Sequence, residues 1–117
     1  MIEIVAQQVW LVPGATDMRK SIDALVPLVH YAIRQDPLSR QLFVFCSRDR
    51  SRLKILFWDQ NGFWLFYKRL AKGHFQWPVR GSDGAMCITR RQLSWLLEGL
   101  AVEQKLAHAP IEALIAC

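Results

Sequence analysis

Acidic side chains are nearly missing from the middle of this chain. Between residues 40 and 80 there are nine Lys and Arg but only two acids, Asp49 and Asp59. The flanks hold the other six cations and eight acids, so the formal charge of +5 is concentrated in one segment. A local basic stripe points to a polyanionic partner more than a uniform basic tint would. The few acids are scattered, without the converging carboxylates that a metal-dependent nuclease or DDE recombinase needs. Asp17 reads as a helix cap, and Asp59 and Asp83 as turn residues.

Cysteine is equally scarce. Cys46, Cys87 and Cys117 are odd in number, far apart and in no CxxC pair. That spacing argues against a disulfide framework or a zinc site and suits a reducing cytoplasm. His30, His74 and His108 have no ligand spacing. The only glycine-rich stretch, Gly81-Ser82-Asp83-Gly84, lacks the Lys of a phosphate loop. No GxSxG or Cys-His nucleophile pattern occurs. No apolar run approaches the ~18 residues of a membrane span, and MIEIVAQQVW lacks the basic start of a signal peptide. The expectation is a non-enzyme with no cofactor, no metal and no membrane segment.

The 117 residues suit one domain that buries a core without staples. Hydrophobic residues make up 52% of them, slightly above the usual share, which suggests apolar surface for a partner or for a homo-oligomer. QVWLVP (8–13) reads as a strand stopped by Pro13-Gly14. Thr16 or Asp17 is expected to cap a helix with Ile22, Leu25, Val26, Val29 and Ile33 on one face. Pro27 should kink that helix or delay its start, and Asp36-Pro37 ends it. LFVFC (42–46) is a β run, followed by a polar, Arg-rich turn over 47–51. A further strand is expected over Phe75–Val79, and Thr89 with Gln92 marks a second helix ending near Gly99. The fold class is α+β: a single small domain whose antiparallel four- to five-stranded meander sheet packs with two main helices. Residues 1–100 carry it, and 101–117, split by Pro110, read as a weakly helical tail.

RLKILFWDQNGFWLFYKRL (52–70) is the most informative segment. Two aromatic-rich β runs flank Asn61-Gly62, a pair suited to the positive φ angles of a type I′ hairpin turn. With those residues central, Trp58 opposes Leu65, Leu56 opposes Tyr67 and Lys54 opposes Arg69. One face then carries Leu53, Ile55, Phe57 and Phe66. The other crowds Arg52, Lys54 and Arg69 beside Trp58 and Tyr67. Like charges directly opposed destabilise a sheet unless something neutralises them. A phosphate backbone would do so, and the rings could stack on bases. The plainer reading has the aromatics as core and the cations reaching water. Candidate nucleic-acid contacts are Arg19, Lys20, Arg48, Arg50, Arg52, Lys54, Trp58, Tyr67, Lys68, Arg69, Lys72 and Arg80. Arg19 and Lys20 enter as a possible phosphate site at a helix start, against simple pairing with Asp17 or Asp23.

TDMRK, the K-x-L-x-W-D-x-x-G hairpin, YKRL, G-x-F-x-W-P and L-L-x-G follow one another in this order. Over about residues 8 to 100 the chain resembles the accessory TnpB proteins, the second open reading frame of insertion-sequence-66 elements. Pro27 departs from the family pattern. The resemblance implies a non-catalytic assistant of DNA transposition, encoded beside a DDE transposase and a second small accessory protein. DNA is the expected partner. The alternative is an adaptor that docks the transposase or the other element-encoded protein without touching DNA, and a nuclease-like enzyme comes third.

Overall fold

LFVFC becomes the central strand β2 (Leu42–Cys46), and all five of its residues are buried. Burial on both faces requires cover on both faces, and a computed structural model describing residues 8–78 and 85–104 shows that cover. The other strands are β1 (Val9–Leu11), β3 (Arg52–Asp59), β4 (Gly62–Arg69) and β5 (Met86–Ile88). Their order is β4-β3-β2-β1-β5. β2, β3 and β4 form an antiparallel meander, β1 joins β2 in parallel, and β5 closes antiparallel onto β1. The parallel pair needs a crossover. It is supplied by α1 (Ile22–Pro27) and a wider π-helical turn over Leu28–Ala32.

Side-chain alternation divides the core. Phe43, Phe45 and Leu56 face Leu25 and Val29 of the crossover. Val44, Cys46, Leu53, Ile55 and Phe57 face the other way, onto Leu93 and Leu96 of α2 (Arg90–Leu97). The architecture is the expected α+β one, with a mixed rather than purely antiparallel sheet.

Two local expectations are corrected. The first helix starts at Ile22, after Ser21, rather than at a Thr16 or Asp17 cap. The stretch before it is bound elsewhere: Thr16 N–H donates to Cys46 O at 2.8 Å, and Asp17 accepts from Arg19. Pro27 acts as its chemistry dictates. It cannot donate to the helical ladder, and the α-helix gives way there to the π turn. Phe75 to Pro78 form no strand. Phe75 N–H bonds Arg50 O at 2.7 Å, and Phe75 and Trp77 are buried in the α2-side cluster. Val79 lies outside the described residues, as does most of the C-terminal tail. β5 was not anticipated, because three residues are too few to show a period.

Thr89 caps α2 as its sequence suggests. Its Oγ1 accepts from Gln92 N–H at 3.1 Å, and Gln92 Oε1 accepts from Thr89 N–H at 2.8 Å. Gly99, at φ +87°, ends the helix; its N–H bonds Leu96 O, and Leu100 N–H bonds Trp95 O. Thr89→Ala is expected to cost about 1 kcal/mol in chemical denaturation, with Thr89→Ser close to wild type.

Candidate nucleic-acid interface

The hairpin keeps its expected faces but not its register. Asp59 pairs with Gly62, so Gln60 and Asn61 form the turn, and Gln60 takes the positive φ of +54°. The pairing follows the aromatics. Trp58 sits directly opposite Phe63, ring centroids 5.0 Å apart in an edge contact, and Phe57 opposes Trp64. The Asn61-Gly62 turn would have set Phe63 against Gln60 and lost that contact. A slip of two residues preserves side-chain parity, which is why the face assignment survives.

The slip relocates the charges. Lys54 now opposes Tyr67 rather than Arg69, its ammonium 5.7 Å from the ring centroid. Lys54 Nζ donates to Met18 O and Lys20 O, both at 2.7 Å. The middle of this face is covered by α1 and the π turn, and Trp58 is half-buried. Arg52 opposes Arg69, moving the like-charge pair to the end of the sheet.

That end is where the cations gather. The turn between β2 and β3 carries Arg48 and Arg50, both exposed. Asp49 holds the turn together: its carboxylate accepts from Ser47 Oγ at 2.7 Å, Ser51 Oγ at 2.9 Å and Ser51 N–H at 3.1 Å. Residues 70–75 fold beside it. Leu70 N–H bonds Ser51 O, and His74 Nδ1 donates to Asp49 O at 2.7 Å. This brings exposed Lys72 into the same loop cluster as Arg48, Arg50, Arg52 and Arg69. Asp49 is the acid of this cluster, and its acceptor capacity goes to the turn's own donors. Among the described residues, none of these five cations is ion-paired. A cleft of about 230 Å³ adjoins them at the carboxyl ends of β1 and β2, between Arg48, Arg50, Trp77 and the Pro13–Gly14 backbone.

The serine hydroxyl of Ser47, then the N–H and hydroxyl of Ser51, pull the Asp49 carboxyl from 3.8 down to about 2. A depressed folded-state value stabilises the turn above the unfolded value and loses that effect as pH falls. Wild type is expected to lose stability as pH drops from 3.8 toward 2, and Asp49→Asn to show a shallower loss there. Urea midpoints at stepped pH would measure the difference.

The other sequence candidates are dispersed. Arg19, with a side chain 92% exposed, is held by Asp17 through a 2.8 Å ion pair. Its guanidinium and backbone N–H hold the Asp17 carboxyl far below the usual carboxylate range. Lys20 is half-buried in the turn before α1 and gives its carbonyl to Lys54. Lys68 lies on the opposite face and donates to Leu97 O at 2.7 Å. Tyr67 is 53% exposed. Arg80 lies outside the described residues. Asp49 and His74 were missed as organisers of the turn. The Ser47-x-Asp49-x-Ser51 spacing was a usable signal for the first, whereas nothing local marks the second.

Burial pushes the Cys46 thiol up to about 11. Cys87 is disulfide-bonded, a departure from the expectation of no disulfide. Among the described residues no three His, Cys, Asp or Glu gather as a metal site, and no helix is long and apolar enough to cross a membrane.

The described residues form a small α+β domain with a cluster of cations at one end of its sheet. The chain belongs to the IS66 Orf2-like family, whose model matches residues 7–107. It is therefore a non-catalytic accessory protein of IS66-type transposition. It is 42% identical over 93 residues, covering 80% of each chain, to a protein of Sinorhizobium fredii (strain NBRC 101917 / NGR234) named "Uncharacterized protein y4hO". A second protein of that strain, "Uncharacterized protein y4jC", is 36% identical over 84 residues, covering 72% of this chain and 71% of its own. No solved structure matches.

Proposed function

We propose that this accessory protein binds DNA through the basic end of its sheet, with Arg48, Arg50, Arg52, Arg69 and Lys72 contacting backbone phosphates. The carrying observation is that the cluster's acid, Asp49, is committed to Ser47 and Ser51, which leaves the surrounding cations without an ion-pair partner among the described residues. Phosphate contacts position a protein without reading sequence, so this surface gives affinity and register rather than base specificity. Lys54 and Lys68 serve the fold in this reading, because their ammonium groups already sit on carbonyls. Gel-shift titration against element-end duplex at several salt concentrations tests the proposal. Binding that ignores salt, or that survives neutralisation of the arginines, would overturn it.

A further inference from the structure

The open side of β4 is a second surface of a different kind. β4 is the last strand of the sheet and one of its two longest. From Gly62 to Tyr67 it carries no charge and no proline, and its pairing with β3 runs without a bulge. Trp64 is 39% exposed and Tyr67 53% exposed, on opposite faces of this strand. Edges of this length and composition are normally blunted by charge, proline or a bulge, because unpaired backbone groups recruit another strand.

The hydrogen-bond phase identifies which groups have no partner among the described residues. Leu70 N–H bonds Ser51 O, and Ser47 N–H bonds Arg52 O. Even-numbered residues of β4 therefore bond inward to β3, and even-numbered residues of β3 bond to β2. Phe63, Leu65, Tyr67 and Arg69 turn their N–H and C=O groups to the open edge.

We propose that this edge pairs antiparallel with β4 of a second copy of the chain, about a two-fold axis at Phe66. The charge pattern selects this occupant and direction. The strand's cations, Lys68 and Arg69, lie wholly in its second half; of its four aromatics, Phe63 and Trp64 lie in the first half and Phe66 and Tyr67 in the second. Antiparallel pairing about Phe66 sets Arg69 against Phe63 of the second copy and Lys68 against its Trp64. No cation then lies opposite a cation. Parallel in-register pairing would oppose Lys68 to Lys68 and Arg69 to Arg69. Leu65 and Tyr67, both with outward backbone groups, face one another across the axis and supply its innermost hydrogen bonds.

Sedimentation of the full chain across a concentration series tests this, together with Tyr67→Pro. Proline at position 67 removes an outward N–H and the ring beside Lys54, and leaves the backbone bonds to β3 in place. Wild type is expected to dimerise, and the variant to raise the dimer dissociation constant about a hundredfold or more. Hydrogen exchange on wild type is independent of how the variant folds. The amides of Phe63, Leu65, Tyr67 and Arg69 should gain protection as concentration rises, while those of Trp64, Phe66 and Lys68 are protected throughout. A wild type that stays monomeric, or a dimer that leaves the four odd-numbered amides fast-exchanging, overturns the proposal.

Discussion

Changing Arg48, Arg50, Arg52 and Arg69 together to glutamine is expected to remove most of the affinity for duplex DNA and nearly all of its salt dependence. Each neutralised phosphate contributes about −0.9 to the slope of log K against log salt. With five contacts, wild type should weaken about 500-fold between about 50 and 200 mM salt. With Lys72 alone remaining, the variant should weaken only about fourfold over that range. Arg19→Gln provides the contrast. Asp17 already holds that guanidinium with hydrogen bonds of 2.8 to 3.1 Å, so its removal should leave the slope nearly unchanged. Parallel slopes for wild type and the fourfold variant would show that the cluster does not meet phosphate.

The second large effect is on stability. Lys54→Met is expected to destabilise the fold by about 2–4 kcal/mol, because hydrogen bonds from a charged donor contribute about 1.5–3 kcal/mol each. Two carbonyls, those of Met18 and Lys20, lose their donor at once. Methionine keeps most of the stem's packing, so the loss reports the ammonium group. The turn before α1 should loosen first, since Lys54 ties it to the sheet across 34 and 36 residues of sequence. Urea denaturation measures the change. A Lys54→Met protein with the wild-type midpoint would refute this role, and its DNA affinity should stay close to wild type either way.

Lys54 also shows where sequence reading stops. Its face, its strand and its charge are all legible from alternation and composition. Its bonding partners are not, because Met18 and Lys20 are far away along the chain. The structure gives it a role not visible in the sequence: a residue that looks like a phosphate ligand closes a helix-entry turn. Lys68 repeats the pattern across 29 residues to Leu97. The hairpin register failed for a different reason. Asn61-Gly62 is a strong local turn signal, but the Trp58–Phe63 contact outweighed it and moved the turn by one residue. The elements with purely local causes came through: β2 from its apolar run, α2 from its capping box and from Gly99. The basic cluster was legible as composition, whereas its gathering at one end of the sheet required the packing of residues 70–75 against the β2–β3 turn.

β1 is three residues long and is bonded on both sides, with Val9 aligned to Leu42 on one side and to Ile88 on the other. The β2–β3–β4 meander pairs strands that are neighbours in sequence, whereas β1 pairs across longer separations on both sides. β5 closes the sheet beyond β1. The basic turn and the outer edge of β4 both belong to this locally paired meander, at the end of the sheet away from β1 and β5.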